Sequence, residues 1–191
     1  MAVTLTNGTL SVSNGEITAA GQYLTGNFSS MYNVDQNSNL LTYTYTLFAP
    51  QKNLSHWLLQ VSSNFVAGDL IGESGPGSFP TTNPGTFAPN DSSSNAGMPA
   101  NLFGYKCDTS TTPTNGVLIF TFITDRLPTN GNFFARDGNG VYAYDTGFAN
   151  PSTGAFLIVP DSVSAVVPEP NSLLLAAMGI GLAVSVLRRC R

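Results

Sequence analysis

Residues 40–48 read Leu-Leu-Thr-Tyr-Thr-Tyr-Thr-Leu-Phe, and this stretch decides the fold class. Its apolar residues alternate strictly with three threonines, Thr42, Thr44 and Thr46. A period of two with one apolar side is typical of a β-strand that lies half-buried at the surface of a sheet. We therefore predict a strand over residues 40–48 whose threonines face solvent.

Strand patterns continue on both sides of this stretch. Residues 117–124 (VLIFTFIT) are apolar on both faces, which predicts a central strand buried on both sides. Further strands are predicted at 4–12, 57–61, 141–144 and 156–159, and at 22–32 as the partner of residues 40–48 across a polar turn at 34–39. Residues 68–101, rich in glycine, proline and serine, are predicted to form one long loop.

The pattern as a whole predicts an all-β fold. Asn-Gly and Asp-Gly dipeptides separate the strands, and no sustained helical period occurs before the C-terminal tail. About seven or eight short strands with such turns indicate an antiparallel β-sandwich or jelly-roll-like domain over residues 1–161.

The composition narrows the class of partner. Of 191 residues only 9% are charged, with 7 Lys and Arg against 11 Asp and Glu, whereas about 25% is usual. Thr, Ser and Asn together supply 57 residues, so neutral hydroxyls and amides make the surface polar. Nucleic acid is not an expected partner, because binding phosphates needs clusters of Lys and Arg.

The C-terminal tail has a different character. Residues 167–170 read Val-Pro-Glu-Pro, residues 172–187 carry no charge, and Arg-Arg-Cys-Arg follows. A helix over that uncharged stretch reaches about 24 Å, close to the thickness of a membrane core. Arginines next to such a helix favour the cytoplasmic side. We predict a linker at 162–170, then a single transmembrane helix with a cytoplasmic Arg-rich tail at 171–191.

The order of motif, apolar helix and arginines resembles the PEP-CTERM sorting signal of exported bacterial proteins, which the membrane protease exosortase recognises. The resemblance implies that the sorting motif is Val167, Pro168, Glu169 and Pro170, and that the cytoplasmic anchor is Arg188, Arg189 and Arg191. It also implies an exported protein with exosortase as a transient partner. The precursor would be anchored in the inner membrane, and the product would reach the cell surface or the extracellular matrix.

Two further features bear on this resemblance. Residues 1–12 (MAVTLTNGTLSV) lack the basic and apolar regions of a secretory signal, so we expect the natural start to lie upstream. The same tail is also called an ice-binding protein C-terminal domain. One Thr-x-Thr-x-Thr strand without an internal repeat does not predict ice binding.

The body of the chain also resembles, more loosely, uncharacterised PEP-CTERM proteins that share Ser55-His56-Trp57, Asp125-Arg126, Asp137-Gly138, Tyr142 and Thr146-Gly147-Phe148. The relatives have no established chemistry, so this resemblance supports the fold and export only.

Catalytic residues are not apparent in the sequence. His56 is the only histidine, so any triad or Cys-His pair must use it. No Gly-x-Ser-x-Gly elbow is present, and Ser55 is expected to face the opposite side of the strand from His56. Cys107 is expected to be a half-buried apolar residue, on the other side of the membrane from Cys190. We predict a non-enzymatic protein without a catalytic site.

Three interpretations of the β domain stay open. The first is a non-enzymatic surface or matrix protein associated with exopolysaccharide, with Tyr142 and Tyr144 as exposed aromatic contacts. The second is a secreted polysaccharide hydrolase that uses two carboxylates. The third is a calcium-dependent carbohydrate-binding module, whose candidate ligands are Asp125, Asp137, Asn139 and Asp145. Apart from calcium, no cofactor is expected. Arg126 is expected to pair with Asp125 or with Asp137.

Overall fold

The computed structural model describes residues 3–77, 83–89, 95–109, 116–138 and 140–164. In chain order its strands are β1 (Val3–Ser11), β2 (Ile17–Ala20), β3 (Ser29–Asn37), β4 (Leu40–Phe48), β5 (His56–Gln60), β6 (Gly72–Ser74), β7 (Gly85–Phe87), β8 (Leu102–Asp108), β9 (Val117–Thr124), β10 (Arg126–Gly131), β11 (Phe133–Asp137), β12 (Val141–Asp145) and β13 (Leu157–Ser164). Two single-turn helices, α1 (Gln22–Thr25) and α2 (Thr146–Ala149), and a 3₁₀ turn at Ala67–Asp69 complete the described elements.

The strands form three antiparallel sheets. The five-stranded sheet has the order β1-β3-β4-β9-β6, and the six-stranded sheet has the order β2-β12-β11-β5-β8-β7. Strands β10 and β13 form a separate pair. The prediction of an all-β antiparallel fold is confirmed.

The two larger sheets pack face to face around one aromatic core. Trp57 of the six-stranded sheet contacts Tyr45 and Phe120 of the five-stranded sheet, with ring centroids 5.1 and 4.9 Å away. Alternation in β4 turns its apolar side chains into this core, where Leu41, Tyr43, Tyr45 and Leu47 are fully buried. Burying such large side chains supplies most of the stabilisation that a sandwich needs.

Strand β4 has the predicted bounds, but its partner does not. β4 pairs with Ser29–Asn37, whereas residues 22–32 were expected; residues 22–25 form α1 instead. The pairing of β3 with β4 continues as far as Asn37, which lies opposite Leu40. Ser38 and Asn39 alone therefore make the turn, and Ser38 adopts a φ of 59° there. A two-residue turn with a positive φ matches the twist of the flanking strands.

Strand β9 is apolar on both sides, but only one side is buried. Phe120 and Phe122 lie in the core, whereas Ile119 is 51% exposed on the outward side. The prediction of burial on both faces is wrong here, because no described element covers the outward side of β9, and β6 pairs only with its Thr121–Ile123 part.

Residues 68–101 are not one long loop as predicted. They contain the edge strands β6 and β7, each three residues long, and the end of the 3₁₀ turn. The guanidinium of Arg126 anchors this segment through Asp69, with Nη2 and Oδ1 2.5 Å apart, and lies over the ring of Phe65 at 5.9 Å. A guanidinium held by a carboxylate and an aromatic face gives an irregular segment a fixed attachment.

Strand β13 ends the described chain. It runs to Ser164, beyond the predicted strand at 156–159 and beyond the predicted domain end at 161. Two phenols of β4 hold the β10–β13 pair: Tyr43 donates to the Arg126 carbonyl at 2.7 Å, and Tyr45 to the Ile158 carbonyl at 2.9 Å.

The transmembrane helix predicted at 171–191 lies outside the described residues. No helix within the described ranges has the length and apolar character needed to cross a membrane.

Candidate functional site

The outward side of the five-stranded sheet, which we call the open face, carries small polar side chains in rows that cross the strands. The central row contains Asn7, Asn33, Thr44, Thr121 and Ser74 in register. Adjacent strands in a sheet lie about 4.8 Å apart, so neighbouring hydroxyls and amides are closely and regularly spaced. The threonines of β4 therefore face outward as predicted, within a surface that spans all five strands.

One end of the open face is apolar. Phe48 and Val117 are paired across β4 and β9, and Met31 and Ile119 flank Thr46 in the next row. The exposed fractions of Phe48, Val117, Met31 and Ile119 are 39%, 37%, 48% and 51%. Four large apolar side chains that remain exposed together are a feature of binding surfaces.

The open face is nearly free of charge. Asp35 is its one ionisable side chain among the described residues, and it accepts hydrogen bonds from Thr4 Oγ1 and Asn33 Nδ2, both at 2.6 Å. A depression of about 240 Å³ lies on the same face, between β1, β3 and β4. Asn7, Thr9, Met31, Asn33, Thr44 and Thr46 line the depression.

The outward side of the six-stranded sheet carries the charges that the open face lacks. Arg136, His56 and Asp108 are neighbours in one row across β11, β5 and β8, and Lys106 pairs with Asp108 at 2.9 Å. Burial lowers the pKa of His56 to about 4, and the positive charge of Lys106 adds to this effect. The imidazole is therefore neutral at pH 7.

Ser55 does not face away from His56, so that prediction is wrong. Its Oγ lies 3.2 Å from His56 Nδ1 and donates a hydrogen bond to the Arg136 carbonyl at 2.8 Å. The reason is that β5 begins at His56, so Ser55 precedes the strand and does not follow its alternation. The pair is fixed to β11 through this backbone bond.

A segment of the chain itself covers part of this second face. Gly97, with a φ of 97°, lies flat against the ring of Tyr142, and a side chain there would collide with that ring. Asn95 is buried beside it and donates to the Ala88 carbonyl at 3.1 Å. Tyr142 and Tyr144 have nearly parallel rings 6.1 Å apart, and both are half-buried instead of exposed as expected.

The structure describes three of the four calcium candidates, Asp125, Asp137 and Asp145, and they do not form a metal-binding group with one another. Asp137 pairs with Lys52 at 3.2 Å, and Asp125 lies 3.6 Å from the guanidinium of Arg126. Asn139 lies outside the described residues. In the described parts of the chain, no group of three or more His, Cys, Asp or Glu side chains could hold a metal ion. Of the two ion pairs expected for Arg126, the one with Asp125 is present and the one with Asp137 is not.

The fourth candidate, Asp145, is a structural carboxyl group. It is fully buried, and its Oδ1 accepts the Phe133 N–H at 2.7 Å. Burial raises its pKa to about 7, an effect that the Phe133 hydrogen bond reduces. By the geometry of the structure its Oδ2 has no hydrogen-bond partner among the described residues.

The comparison with protein families decides the nature of the tail. Residues 166–191 match the family model of the PEP-CTERM protein-sorting motif. The chain carries a PEP-CTERM motif. This motif marks an exported protein that exosortase sorts. No curated protein and no solved structure matches the chain significantly.

The PEP-CTERM match begins two positions after β13 ends at Ser164. The sorting residues (Val167, Pro168, Glu169, Pro170) and the arginines (Arg188, Arg189, Arg191) fall inside the match and outside the described residues. Cys190 also lies there. Cys107 is fully buried in the core and not half-buried as expected, and burial raises the pKa of its thiol.

Sequence reasoning missed the open face as a unit. The threonines of β4 were visible as one outward side, but their neighbours come from residues far away in the chain, such as Asn7 and Thr121. The weak signal that was available is the alternation in 117–124, where Ile119 and Thr121 occupy the same side.

Proposed function

We propose that this exported PEP-CTERM protein is a non-enzymatic protein of the cell surface or extracellular matrix, and that it binds uncharged polysaccharide through the open face. The observation that carries the proposal is the combination, on a sheet face that no described element covers, of an apolar end at Phe48 with uncharged rows of hydroxyl and amide groups.

The chemistry of the open face fits a sugar chain. A pyranose ring has apolar C–H faces and a rim of hydroxyl groups, so it is amphipathic in the same way as this surface. Phe48 and Ile119 offer apolar contact area, while Asn33 and Thr44 offer both donors and acceptors. The depression between β1 and β4 gives one sugar unit a concave seat.

The charge distribution favours an uncharged glycan over an acidic one. The bases that precede the PEP-CTERM match are Lys52, Lys106, Arg126 and Arg136, and none of them lies on the open face. An acidic polysaccharide would need Lys or Arg on the binding surface, and the carboxylate of Asp35 would repel it.

The absence of turnover is part of the proposal. Hydrolysis of a glycosidic bond uses two carboxyl groups on either side of the bond, and the described part of the open face has one, Asp35. His56 lies on the other sheet, is buried, and has a pKa of about 4.

The tail accounts for the proposed anchoring and processing of the precursor. Before processing, residues 171–191 hold the precursor in the inner membrane through an apolar helix with cytoplasmic Arg188, Arg189 and Arg191. Exosortase then acts at the Val-Pro-Glu-Pro motif, and the β domain passes to the surface or the matrix.

The test is affinity electrophoresis of the exported protein in gels that contain an uncharged polysaccharide, dextran or hydroxyethylcellulose, or an acidic one, alginate. We expect retardation by an uncharged glycan only. Phe48→Ala should weaken binding at least about tenfold, which corresponds to about 1.4 kcal/mol. Leu24→Ala, also an exposed apolar residue (52%), is the matched control and should bind like the wild type.

Two results would overturn this proposal. One is a wild-type protein that no uncharged glycan retards, or a Phe48→Ala variant that binds equally well. The other is release of reducing ends from the glycan by the purified protein, which would favour a hydrolase.

A further inference from the structure

The outer edge of β1 differs from the other sheet edges. β1 is nine residues long (VTLTNGTLS), carries no charge and no proline, and pairs with β3 on one side only. No described strand pairs with its other side. A long edge of this kind presents a row of backbone donors and acceptors to any other strand.

The other edges carry the features that block pairing. β6 and β7 are three residues long and β2 is four. In the separate pair, β10 contains Pro128 and β13 contains Pro160 and Asp161. Short length, proline and charge are the usual means of preventing association between edges. Among the described edges, β1 is the one that lacks all three.

The hydrogen bonds of Ser11 show which backbone groups of β1 point outward. Its N–H donates to the Glu16 carboxylate at 3.3 Å, and its carbonyl accepts the Glu16 N–H at 3.2 Å, so both groups point away from β3. In an antiparallel ladder, residues two apart direct their backbone groups to the same edge. Asn7 and Thr9 therefore point theirs outward as well, and no described group bonds to them.

We propose that two copies of this chain pair antiparallel through β1, so that two five-stranded sheets become one continuous ten-stranded sheet. The N–H and carbonyl groups of Asn7 and Thr9 supply the central hydrogen bonds. A two-fold axis places the same edge on both sides, which closes the assembly at two chains.

The side chains around the edge fit a second copy. Because β1 is uncharged, its self-pairing brings no like charges together. Val3 and Leu5 are 61% and 44% exposed beside the edge, and a second copy would cover apolar area there. Glu16, which occupies the outward groups of Ser11, limits the pairing at one end of β1.

The test is sedimentation velocity of the full chain in mild detergent over a wide range of concentration. We expect two chains per particle for the wild type. Thr9→Lys places one cation on each side of the two-fold axis, at diagonal positions across the strand pair, and Asn7→Pro removes an outward N–H that the monomer does not use; both should give one chain. Ala149→Lys, which adds the same charge at the end of α2, is the control and should stay dimeric.

Each alternative has its own result. A dimer that persists in Thr9→Lys and Asn7→Pro would locate the contact elsewhere, for example in the tail, which these variants keep intact. A wild-type monomer would overturn the proposal. If hydrogen exchange then shows a protected Thr9 amide, a strand of this chain or of another protein occupies the edge; if the amide exchanges freely, the edge is unoccupied. Circular dichroism identifies any variant that has failed to fold, and the other variant then decides.

Discussion

The indole ring of Trp57 lies against the phenyl ring of Phe120 with the ring centroids 4.9 Å apart and the planes inclined by 30°. Trp57 comes from β5 and Phe120 from β9, so this contact joins the two large sheets at the centre of the core. The Trp57 side chain is fully buried, and its Nε1–H has no hydrogen-bond partner among the described residues. Packing, and not hydrogen bonding, therefore accounts for what Trp57 contributes.

Replacing Trp57 tests this account. Trp57→Ala should lower the free energy of unfolding by about 3–5 kcal/mol, because it leaves a large cavity between the sheets. Trp57→Phe should cost less, since it keeps an aromatic ring and removes the unpaired donor. Urea unfolding followed by circular dichroism measures both, and Leu24→Ala, at an exposed position of α1, is the control. Equal losses for Phe and Ala would contradict the account.

Asp145 should make the fold less stable as the pH rises. Its pKa is about 7 in the folded protein against 3.8 for the free group. Its contribution to the free energy of unfolding is therefore fully present below about pH 3.8 and is lost as the pH rises to about 7. Asp145→Asn should remove this fall, whose slope approaches about 1.4 kcal/mol per pH unit. Thermal unfolding across pH 4–8 measures it, with Asp125→Asn as the matched control. An unchanged pH profile in Asp145→Asn would refute the assignment.

His56 should make the fold less stable as the pH falls, over nearly the same pH range. Its pKa falls from 6.5 to about 4 on folding, so its contribution is fully present above about pH 6.5 and is lost as the pH falls towards 4. His56→Gln should flatten this loss, so that the variant loses less stability than the wild type on acidification. Ser55→Ala keeps the imidazole buried and should keep the loss. The effects of Asp145 and His56 on stability partly cancel in the wild type, and the two single variants separate these effects.

The sequence predicts these elements unequally well. β4 is predicted to the residue because one strand holds its complete alternating pattern. β6 and β7 are missed, because three residues are too few to show a period, and these segments are strands only by pairing with β9 and β8. The Arg126–Asp69 pair joins residues 57 positions apart, so no local pattern predicts it.

The sequence also predicts one part of the candidate site and misses another. The sorting motif is a contiguous string, so it can be read from the sequence, and the match over residues 166–191 confirms the resemblance to the PEP-CTERM motif. The open face depends on the register of five strands, which the outward side of β4 does not reveal. Tyr142 was expected to be exposed because nothing in its own strand indicates that Gly97 lies on its ring.

Processing of the tail is open to direct measurement. In a host that has exosortase, the mature protein should lack residues 173–191, because cleavage is expected next to the Val-Pro-Glu-Pro motif. Intact-mass measurement of the exported protein decides this. Glu169→Ala is expected to retain the tail, while Glu73→Ala, a change outside the match, should be processed normally. A complete C-terminus on the exported wild-type protein would contradict the sorting role.

The attachment of β13 has a mechanical consequence. Any pull that the tail transmits while it is held in a membrane enters the domain at Ser164 and runs along β13. A force directed along β13 would load the rungs of the β10–β13 ladder in parallel as shear, and would not open them one after another. Two side-chain hydrogen bonds also hold β13 in place. The Tyr45 hydroxyl donates to the Ile158 carbonyl at 2.9 Å, and the Ser62 hydroxyl donates to Asp161 Oδ1 at 2.7 Å. Both bonds resist sliding of β13 along its neighbours. These bonds would let the β domain resist tension at the end that leads into the sorting motif.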